Sequence, residues 1–297
     1  MKNERLEGQF GAVVSELDPE SMTDSEVKSL LNLLYEQRVV VVKTNGLSKF
    51  GYIAFAKRLG TPIPLSGGNE FQEIAEISNR ATDTKKKRLG AAHWHTDQSF
   101  RSTVSSITML HSIHVPAQGG ETRFCNMAAA YDALPTSRKK QIEGLVGIHR
   151  HGVSIVARPG DHVPLPPKGW DKTYTAYHPL VREHPVTRQK TLYAVTGTIQ
   201  GIVGMAESVA AELLEELCQH TFHERFLTSY AHYKHDIVMW DNPTTMHSAT
   251  EIEQGTNTSN TRLLWRISLK GAPLVYEHLY DENLLDQSLY RAQVSNA

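Results

Sequence analysis

Two candidate metal ligands lie two residues apart in the sequence, and a third lies far downstream. His95 and Asp97 belong to the segment 93–97, and His247 follows the segment 240–246. Residues i and i+2 of an extended strand project from the same face, so His95 and Asp97 could converge on one ion. With a second imidazole they make the two-histidine, one-carboxylate triad that non-haem Fe(II) sites use, which leaves coordination positions open for substrates.

The triplet by itself is weak evidence for a metal site. The chain has 15 histidines and 32 acidic residues in 297 positions, so chance alone gives roughly 1.6 His-x-acid triplets. A surface histidine, or one hydrogen-bonded in the core, is the alternative interpretation of His95. Ligand type also does not exclude zinc, so the same residues could serve a zinc hydrolase. The hypothesis therefore depends on the rest of the chain.

Composition and charge argue against several classes of protein. Lysine plus arginine number 31 and aspartate plus glutamate 32, so the formal net charge is −1 and no nucleic-acid partner is predicted. Cys125 and Cys218 show no CxxC spacing, which predicts neither a disulfide framework nor a thiolate zinc site. The N-terminus lacks an apolar signal region and no run of about 18 apolar residues occurs, so we expect a cytoplasmic protein without a membrane span.

Hydrophobic periodicity predicts many short strands with a few helices outside them. Helices are predicted over 24–37, from a Ser48 cap to Gly60, and over about 208–220. Strands are predicted at 39–42, 93–100, 107–115, 121–126, 231–234, 237–241 and 262–269. No linker is long enough to separate two cores, so one domain over 1–297 is expected. This pattern favours a mixed α/β, β-dominated class with a double-stranded β-helix (jelly roll, cupin-like) core and flanking helices.

Four motifs occur in order along the chain and together resemble a known family. They are His95 with Asp97, the GGET segment 119–122, the segment 236–242 leading to His247, and the RLLWR segment 262–266. The sequence is similar over most of its length to the Fe(II)/2-oxoglutarate-dependent dioxygenases of the taurine dioxygenase and 2,4-dichlorophenoxyacetate dioxygenase family. The resemblance implies Fe(II) as cofactor, with 2-oxoglutarate and O2 as co-substrates.

The resemblance also implies a role for each residue of these motifs. His95, Asp97 and His247 would hold the iron, while Thr122 and Arg262 would bind the distal carboxylate of 2-oxoglutarate. A buried carboxylate is well satisfied by a guanidinium together with a hydroxyl donor, so lysine would be a poor replacement for Arg262.

Further positions are implied as substrate contacts. Arg266 lies four residues after Arg262, on the same face of a strand, and would contact an anionic group of the substrate. A surface arginine is the alternative interpretation of Arg266. Gln98 and Phe100 would form walls of the pocket, and residues 80–92 and 157–172 are candidate lids. Four other histidines receive structural roles, namely His220, His223, His232 and His235.

The implied activity is oxidation of a small organic substrate, coupled to oxidative decarboxylation of 2-oxoglutarate to succinate and CO2. Asp97 favours hydroxylation, because halogenating relatives carry a small residue at this position. Desaturation, ring formation and epimerisation stay open as outcomes, and a non-redox β-barrel sensor that binds 2-oxoglutarate is a further alternative. The substrate is expected to resemble a carboxylate, a sulfonate or an amino acid, and the protein is expected to form a homodimer or homotetramer.

Overall fold

The strands that the structure describes form one large sheet and three small ones. The computed structural model describes residues 1–64, 70–80, 93–151, 154–156, 175–256 and 259–279. Within these ranges the strands are β1 Lys2–Arg5, β2 Ala12–Ser15, β3 Val39–Val42, β4 Thr61–Pro62, β5 Ala75–Ser78, β6 Ile107–His114, β7 Thr122–Asn126, β8 Val146–Arg150, β9 Thr175–Pro179, β10 Val181–Glu183, β11 Lys190–Leu192, β12 Ile199–Ile202, β13 Leu227–Tyr230, β14 Ile237–Asp241, β15 Thr245–Ala249 and β16 Leu263–Lys270. The helices are α1 Asp24–Gln37, α2 Lys49–Leu59, α3 Met127–Asp132, α4 Thr136–Ile142 and α5 Glu207–Thr221, with short 3₁₀ segments at Glu224–Phe226, Asn242–Thr244 and Leu274–Leu279.

The largest sheet combines strands from both ends of the chain. Its order is β1-β2-β3-β14-β6-β16-β4, and β5 also pairs with β16. Strand β3 lies inside this sheet, so its four valines are buried on both faces. Val40 and Val42 pack into the cluster that contains the apolar face of α1, whereas Val39 and Val41 pack into a second cluster on the other face.

The second cluster separates the large sheet from a small one. The small sheet has the order β13-β7-β15, and its residue Phe124 packs with Trp240 of the large sheet in that cluster. The remaining strands form the sheet β12-β8-β9 and the hairpin β10-β11. None of these four sheets closes into a barrel among the described strands. The chain is therefore a mixed α/β, sheet-rich protein whose two facing sheets share a core.

Local sequence signals explain where the helices begin. Helix α1 starts at a capping box, in which the Thr23 side chain accepts a hydrogen bond from the Glu26 N–H and the Glu26 side chain accepts one from the Thr23 N–H. Helix α2 starts at Ser48, whose hydroxyl accepts from the Gly51 N–H at 3.0 Å. Among the described residues, no helix is both long enough and apolar enough to cross a membrane.

The structure confirms several predicted elements and corrects two strands. Helix α1 and strands β3 and β14 have the predicted bounds. Residues 93–100 are not a strand, because only His95 forms a β-bridge and residues 97–100 turn. Residues 231–234 are also not a strand, because three of the four are exposed and the chain turns there, with the Asp236 N–H donating to the Tyr233 C=O. The candidate lids, apart from Arg80, lie outside the described residues.

Candidate active site

His95 and His247 are held opposite each other by their own backbones. The His95 N–H donates to the His247 C=O at 3.0 Å, and the His247 N–H donates to the His95 C=O at 2.9 Å. This reciprocal pair is an antiparallel bridge between the segment before Asp97 and strand β15. Side chains of directly opposed residues lie on one face of such a pair, and here the two ring centroids are 4.2 Å apart. The backbone thus brings two distant histidines together.

A glycine allows a neighbouring segment to pack directly on this bridge. Gly197 has φ +88°, and a Cβ at this position would lie 2.8 Å from the Trp94 carbonyl oxygen and 3.1 Å from the His95 Cβ. Both the backbone conformation and the close approach therefore require glycine. The loop that contains Gly197 therefore packs against the backbone of Trp94 and His95.

Asp97 reaches the same place from a turn. The next residue, Gln98, has φ +56°, in the left-handed region, so the chain reverses directly after Asp97. Asp97 Oδ2 accepts a hydrogen bond from Thr108 Oγ1 at 2.6 Å, and Thr108 Oγ1 accepts one from Asn242 Nδ2 at 2.8 Å. With Oδ2 held in this way, Oδ1 is the oxygen that faces the histidines.

The three candidate ligands fit a metal ion. Nε2 of His95 and Nε2 of His247 lie 3.7 and 3.8 Å from Asp97 Oδ1. Neighbouring ligand atoms around an ion with bonds of about 2.1 Å are about 3 Å apart. The two nitrogen–oxygen distances are only slightly longer than that spacing, so small side-chain movements would complete the site. His95 Nδ1 lies 3.0 Å from the His93 carbonyl oxygen, which places the ring proton on Nδ1 and leaves the Nε2 lone pair for a metal.

The protonation states of the three side chains also suit metal binding, which requires neutral imidazoles and an ionised carboxylate. Burial lowers the pKa of His95 to about 3 and the pKa of His247 to about 4. Burial alone would raise the pKa of Asp97, but the charge of Arg266, then the two imidazoles and the Thr108 hydroxyl, hold that pKa below its usual range. At neutral pH the site offers two nitrogen lone pairs and one negative charge.

Arg266 contacts the same carboxylate oxygen that faces the two histidines. Its Nη2 lies 2.6 Å from Asp97 Oδ1 and 3.2 Å from Ser268 Oγ. The Arg266 side chain is 26% exposed whereas that of Asp97 is 4% exposed, so a partly exposed guanidinium is paired with a buried carboxylate. Arg266 is therefore a residue of the site rather than an isolated surface arginine.

A second arginine is buried without a carboxylate partner in the described part of the chain. Arg262 is 4% exposed, its Nη1 donates to the Gly120 C=O at 3.1 Å, and its Nε has no hydrogen-bond partner among the described residues. Burial lowers the pKa of Arg262, which is the signature of a charge that the surroundings do not balance. A buried cation without a counter-ion is costly, so this place suits a ligand carboxylate.

The structure adds His232, which sequence reasoning placed among the structural histidines. His232 Nε2 lies 2.9 Å from Thr122 Oγ1, and its Nδ1 lies 3.2 Å from Ser112 Oγ. His232 also lies close enough to Arg262 for that charge to affect its pKa. The sequence carries no signal for this contact, since His232 follows strand β13 at no motif spacing and meets Thr122 only through the fold.

The two predicted pocket residues lie directly after Asp97. Gln98 and Phe100 are half-buried, and the Phe100 ring meets the His151 ring edge-on at 5.0 Å. Between them, Ser99 Oγ lies 2.7 Å from Thr198 Oγ1. The turn thus contacts residues at the end of strand β8 and just before strand β12, and the pocket role of Gln98 and Phe100 stays a prediction.

Most of the chain matches one protein family. The family model described as taurine catabolism dioxygenase TauD, TfdA family matches residues 2–268. The chain belongs to the TauD, TfdA family. This confirms the family that the order of the four motifs predicted.

Individual members of the TauD, TfdA family show how far the similarity extends. An alpha-ketoglutarate-dependent 2,4-dichlorophenoxyacetate dioxygenase from Cupriavidus pinatubonensis is 31% identical over 265 residues, covering 80% of this chain and 88% of that protein. An alkylsulfatase from Acinetobacter baylyi is 27% identical, covering 99% of this chain and 92% of that protein. The crystal structure of AAD-2 in complex with Mn(II) and N-oxalylglycine has a TM-score of 0.76 at 26% identity, covering 92% of this chain and 99% of that one.

Proposed function

We propose that this protein is an Fe(II)- and 2-oxoglutarate-dependent dioxygenase that oxidises a small organic anion, most simply by hydroxylation. The observation that carries the proposal is the pairing of a three-donor metal set with a buried, unbalanced cation, Arg262. A zinc hydrolase would need the donors but would leave Arg262 unexplained. A dicarboxylic keto acid requires both features, because one end chelates the metal and the other end needs a positive group.

The roles of the individual side chains follow from their contacts. His95, Asp97 and His247 would hold the ferrous ion, which when bound supplies chelation of 2-oxoglutarate and activation of O2, with succinate and CO2 as products. Arg262 and Thr122 would bind the distal carboxylate of 2-oxoglutarate by charge and hydrogen bonding.

Other residues keep the ligands in place. Thr108 and Asn242 fix the carboxylate of Asp97 through the hydrogen bonds described above. The Trp240 ring packs against the His247 ring with centroids 4.5 Å apart. A metal site whose ligands are held by packing and outer hydrogen bonds loses little entropy when it binds, which favours affinity.

Arg266 is the residue that would select the class of substrate. Its guanidinium contacts the donor set, and its side chain is more exposed than those of His95, Asp97 and His247, so an organic anion could approach it. A carboxylate, sulfonate or sulfate ester would be held with its carbon chain beside the metal, between Gln98 and Phe100. The relative named for 2,4-dichlorophenoxyacetate, a carboxylate, supports this class.

The four sheets also support a more specific proposal for the fold. We propose a double-stranded β-helix core, because the large sheet and the β13-β7-β15 sheet face each other across a shared apolar cluster. We also propose one domain over residues 1–297, because the large sheet joins strand β1 near the start to β16 near residue 270. We further propose that the protein forms a homodimer or homotetramer and that it acts in the cytoplasm. Light scattering on the purified chain tests the number of subunits.

Two measurements test the proposed function. Anaerobic addition of Fe(II) and 2-oxoglutarate should produce a weak visible charge-transfer band, and admission of O2 with a panel of small organic acids should release succinate. His247→Ala should abolish both signals, whereas His278→Ala, at an exposed histidine of the last 3₁₀ segment, should retain them. An intact, iron-loaded protein without the band contradicts the proposal, and a band without succinate release from any acid favours the sensor.

A further inference from the structure

His232 bridges two buried hydroxyl groups that belong to different sheets. Its Nδ1 faces Ser112 on strand β6 of the large sheet, and its Nε2 faces Thr122 at the start of β7 in the small sheet. Both hydroxyl-bearing residues are buried, and in the described part of the chain each side-chain hydroxyl has a hydrogen bond only to His232. The imidazole therefore decides which way each hydroxyl proton points.

The surroundings of His232 keep its ring neutral. Burial, followed by the positive charge of Arg262, lowers the pKa of His232 to about 3. The Tyr230 ring covers His232 edge-on at 5.6 Å and supplies no charge at neutral pH. A neutral imidazole carries one N–H, so one ring nitrogen donates and the other accepts.

The two possible tautomers have different consequences for Thr122. With the proton on Nδ1, the ring donates to Ser112 and accepts from Thr122, so Thr122 has no proton left and presents only lone pairs to an incoming anion. With the proton on Nε2, Ser112 donates to the ring and the ring donates to Thr122, whose own hydroxyl proton stays available. Only the second arrangement satisfies every donor when a carboxylate lies beside Thr122 and Arg262.

We propose that His232 is a positioning residue for the co-substrate. The His232 ring donates a hydrogen bond from Nε2 to Thr122 Oγ1 and thereby directs the Thr122 hydroxyl proton toward the distal carboxylate of 2-oxoglutarate. This inference rests on the proposed function, since it needs that carboxylate to bind between Thr122 and Arg262. Ser112 acts one step further away, because its hydroxyl proton holds the imidazole in the required tautomer. The chain Ser112–His232–Thr122 thus ends on the ligand.

The test compares, for each variant against the wild type, a ligand that reaches the Ser112–His232–Thr122 chain with one that does not. Oxalate chelates a metal but has no distal carboxylate, whereas N-oxalylglycine carries one at the position found in 2-oxoglutarate. Both are titrated calorimetrically into Mn(II)-loaded protein, which needs no turnover. His232→Leu should weaken N-oxalylglycine binding roughly 3- to 10-fold, the range for one neutral hydrogen bond, because the Thr122 hydroxyl is no longer oriented, and should change oxalate binding less than about twofold.

Further variants separate positioning from folding. His232→Gln, whose amide N–H can reach Thr122, should recover most of the N-oxalylglycine affinity. Ser112→Ala should weaken N-oxalylglycine and spare oxalate, although Ser112 does not reach the ligand. His220→Leu is the matched control, because it removes another half-buried imidazole, bonded to the Ala130 carbonyl at 2.8 Å, and it should alter neither ligand.

The outcomes distinguish this inference from the proposed function. If the wild type binds both ligands, two results for His232→Leu overturn the role of His232 and leave the dioxygenase proposal intact. One is wild-type affinity for both ligands, and the other is an equal loss of affinity for both. A wild-type protein that binds oxalate but not N-oxalylglycine, or that binds neither, overturns both proposals. Ring ¹⁵N shifts of His232 in the Zn(II) and N-oxalylglycine complex give an independent readout, and a proton on Nδ1 in that complex would contradict the inference.

Discussion

Arg266→Gln should make the protein bind a divalent metal more tightly. In the structure the Arg266 guanidinium lies 2.6 Å from Asp97 Oδ1, the oxygen that also faces Nε2 of His95 and His247. A metal ion and this guanidinium are both cations that require the same oxygen. The arginine must therefore give up or weaken its contact before the metal site can form, and removing it removes that cost.

The size of the effect follows from the contact itself. A charge-assisted hydrogen bond contributes about 1.5–3 kcal/mol net, and about 1.4 kcal/mol corresponds to a factor of ten in affinity. Arg266→Gln should therefore bind Mn(II) roughly 10- to 100-fold more tightly than the wild type. Because the Arg266 side chain is 26% exposed, solvent screens part of the interaction, and the lower end of this range is the better expectation.

The same substitution should destabilise the metal-free protein. Without Arg266 the buried carboxylate of Asp97 loses its main counter-ion, and its pKa should rise toward or above the ordinary value. The melting temperature without metal should therefore fall, and the rise in melting temperature on adding Mn(II) should be larger than in the wild type. These opposite changes distinguish competition for Asp97 from simple structural damage.

Calorimetric titration of Mn(II) into the metal-free protein, without substrate, measures the affinity directly. Arg138→Gln is the matched control, because Arg138 forms an exposed ion pair with Glu216 and its loss should change neither metal affinity nor stability by much. If Arg266→Gln binds Mn(II) with wild-type affinity or more weakly, the guanidinium keeps its contact with Asp97 in the metal complex, and the competition argument is wrong.

Three further predictions concern the ligands and their supports. Thr108→Val should lower Mn(II) affinity roughly 10- to 100-fold, since it removes the hydrogen bond to Asp97 Oδ2, and unchanged affinity in the same titration would contradict this role. Arg262→Lys should raise the KM for 2-oxoglutarate by about tenfold or more, because the ammonium group of lysine cannot form the two parallel hydrogen bonds that a planar guanidinium gives to a carboxylate. Succinate release measures the KM, and a wild-type value counts against the role of Arg262. The free energy of unfolding of the metal-free protein should fall as the pH drops below about 6.5, because His95 and His247 take up protons in the unfolded chain but stay neutral in the folded protein, where burial lowers their pKa to about 3 and about 4. Urea titrations at several pH values measure this free energy. A flat profile down to about pH 4.5 would contradict the prediction.

Elements with a strong local signal could be predicted from the sequence. Helix α1 has an N-terminal capping pair and apolar residues at helical spacing, and strand β3 is a run of four valines, so neither depends on distant partners. The ligand residues His95, Asp97 and His247 were found by their types and by the order of the motifs around them. Their meeting in space follows from the fold, and the structure brings them together.

His95 and Asp97 do not meet through the alternation of a strand. Alternation along a strand was expected to place both on one face, but the structure uses a single bridge at His95 and a turn after Asp97, with Gln98 in the left-handed region. Nothing in the spacing distinguishes these two ways of bringing residues i and i+2 together. His232 was missed for a related reason, since a histidine that is positioned only by tertiary contacts has no periodicity of its own.

The two arginines of the last strand illustrate what sequence spacing leaves undecided. Arg262 and Arg266 are four residues apart, and the structure places Arg262 directly before strand β16 and Arg266 within it. One guanidinium lies buried without a described carboxylate partner, and the other is bound to Asp97. The Arg262 guanidinium can therefore bind an anion whether or not a metal ion is present. The Arg266 guanidinium becomes available only when a metal ion binds Asp97 Oδ1 in its place. This difference implies an order of assembly, in which an organic anion finds its arginine free only after the metal has bound.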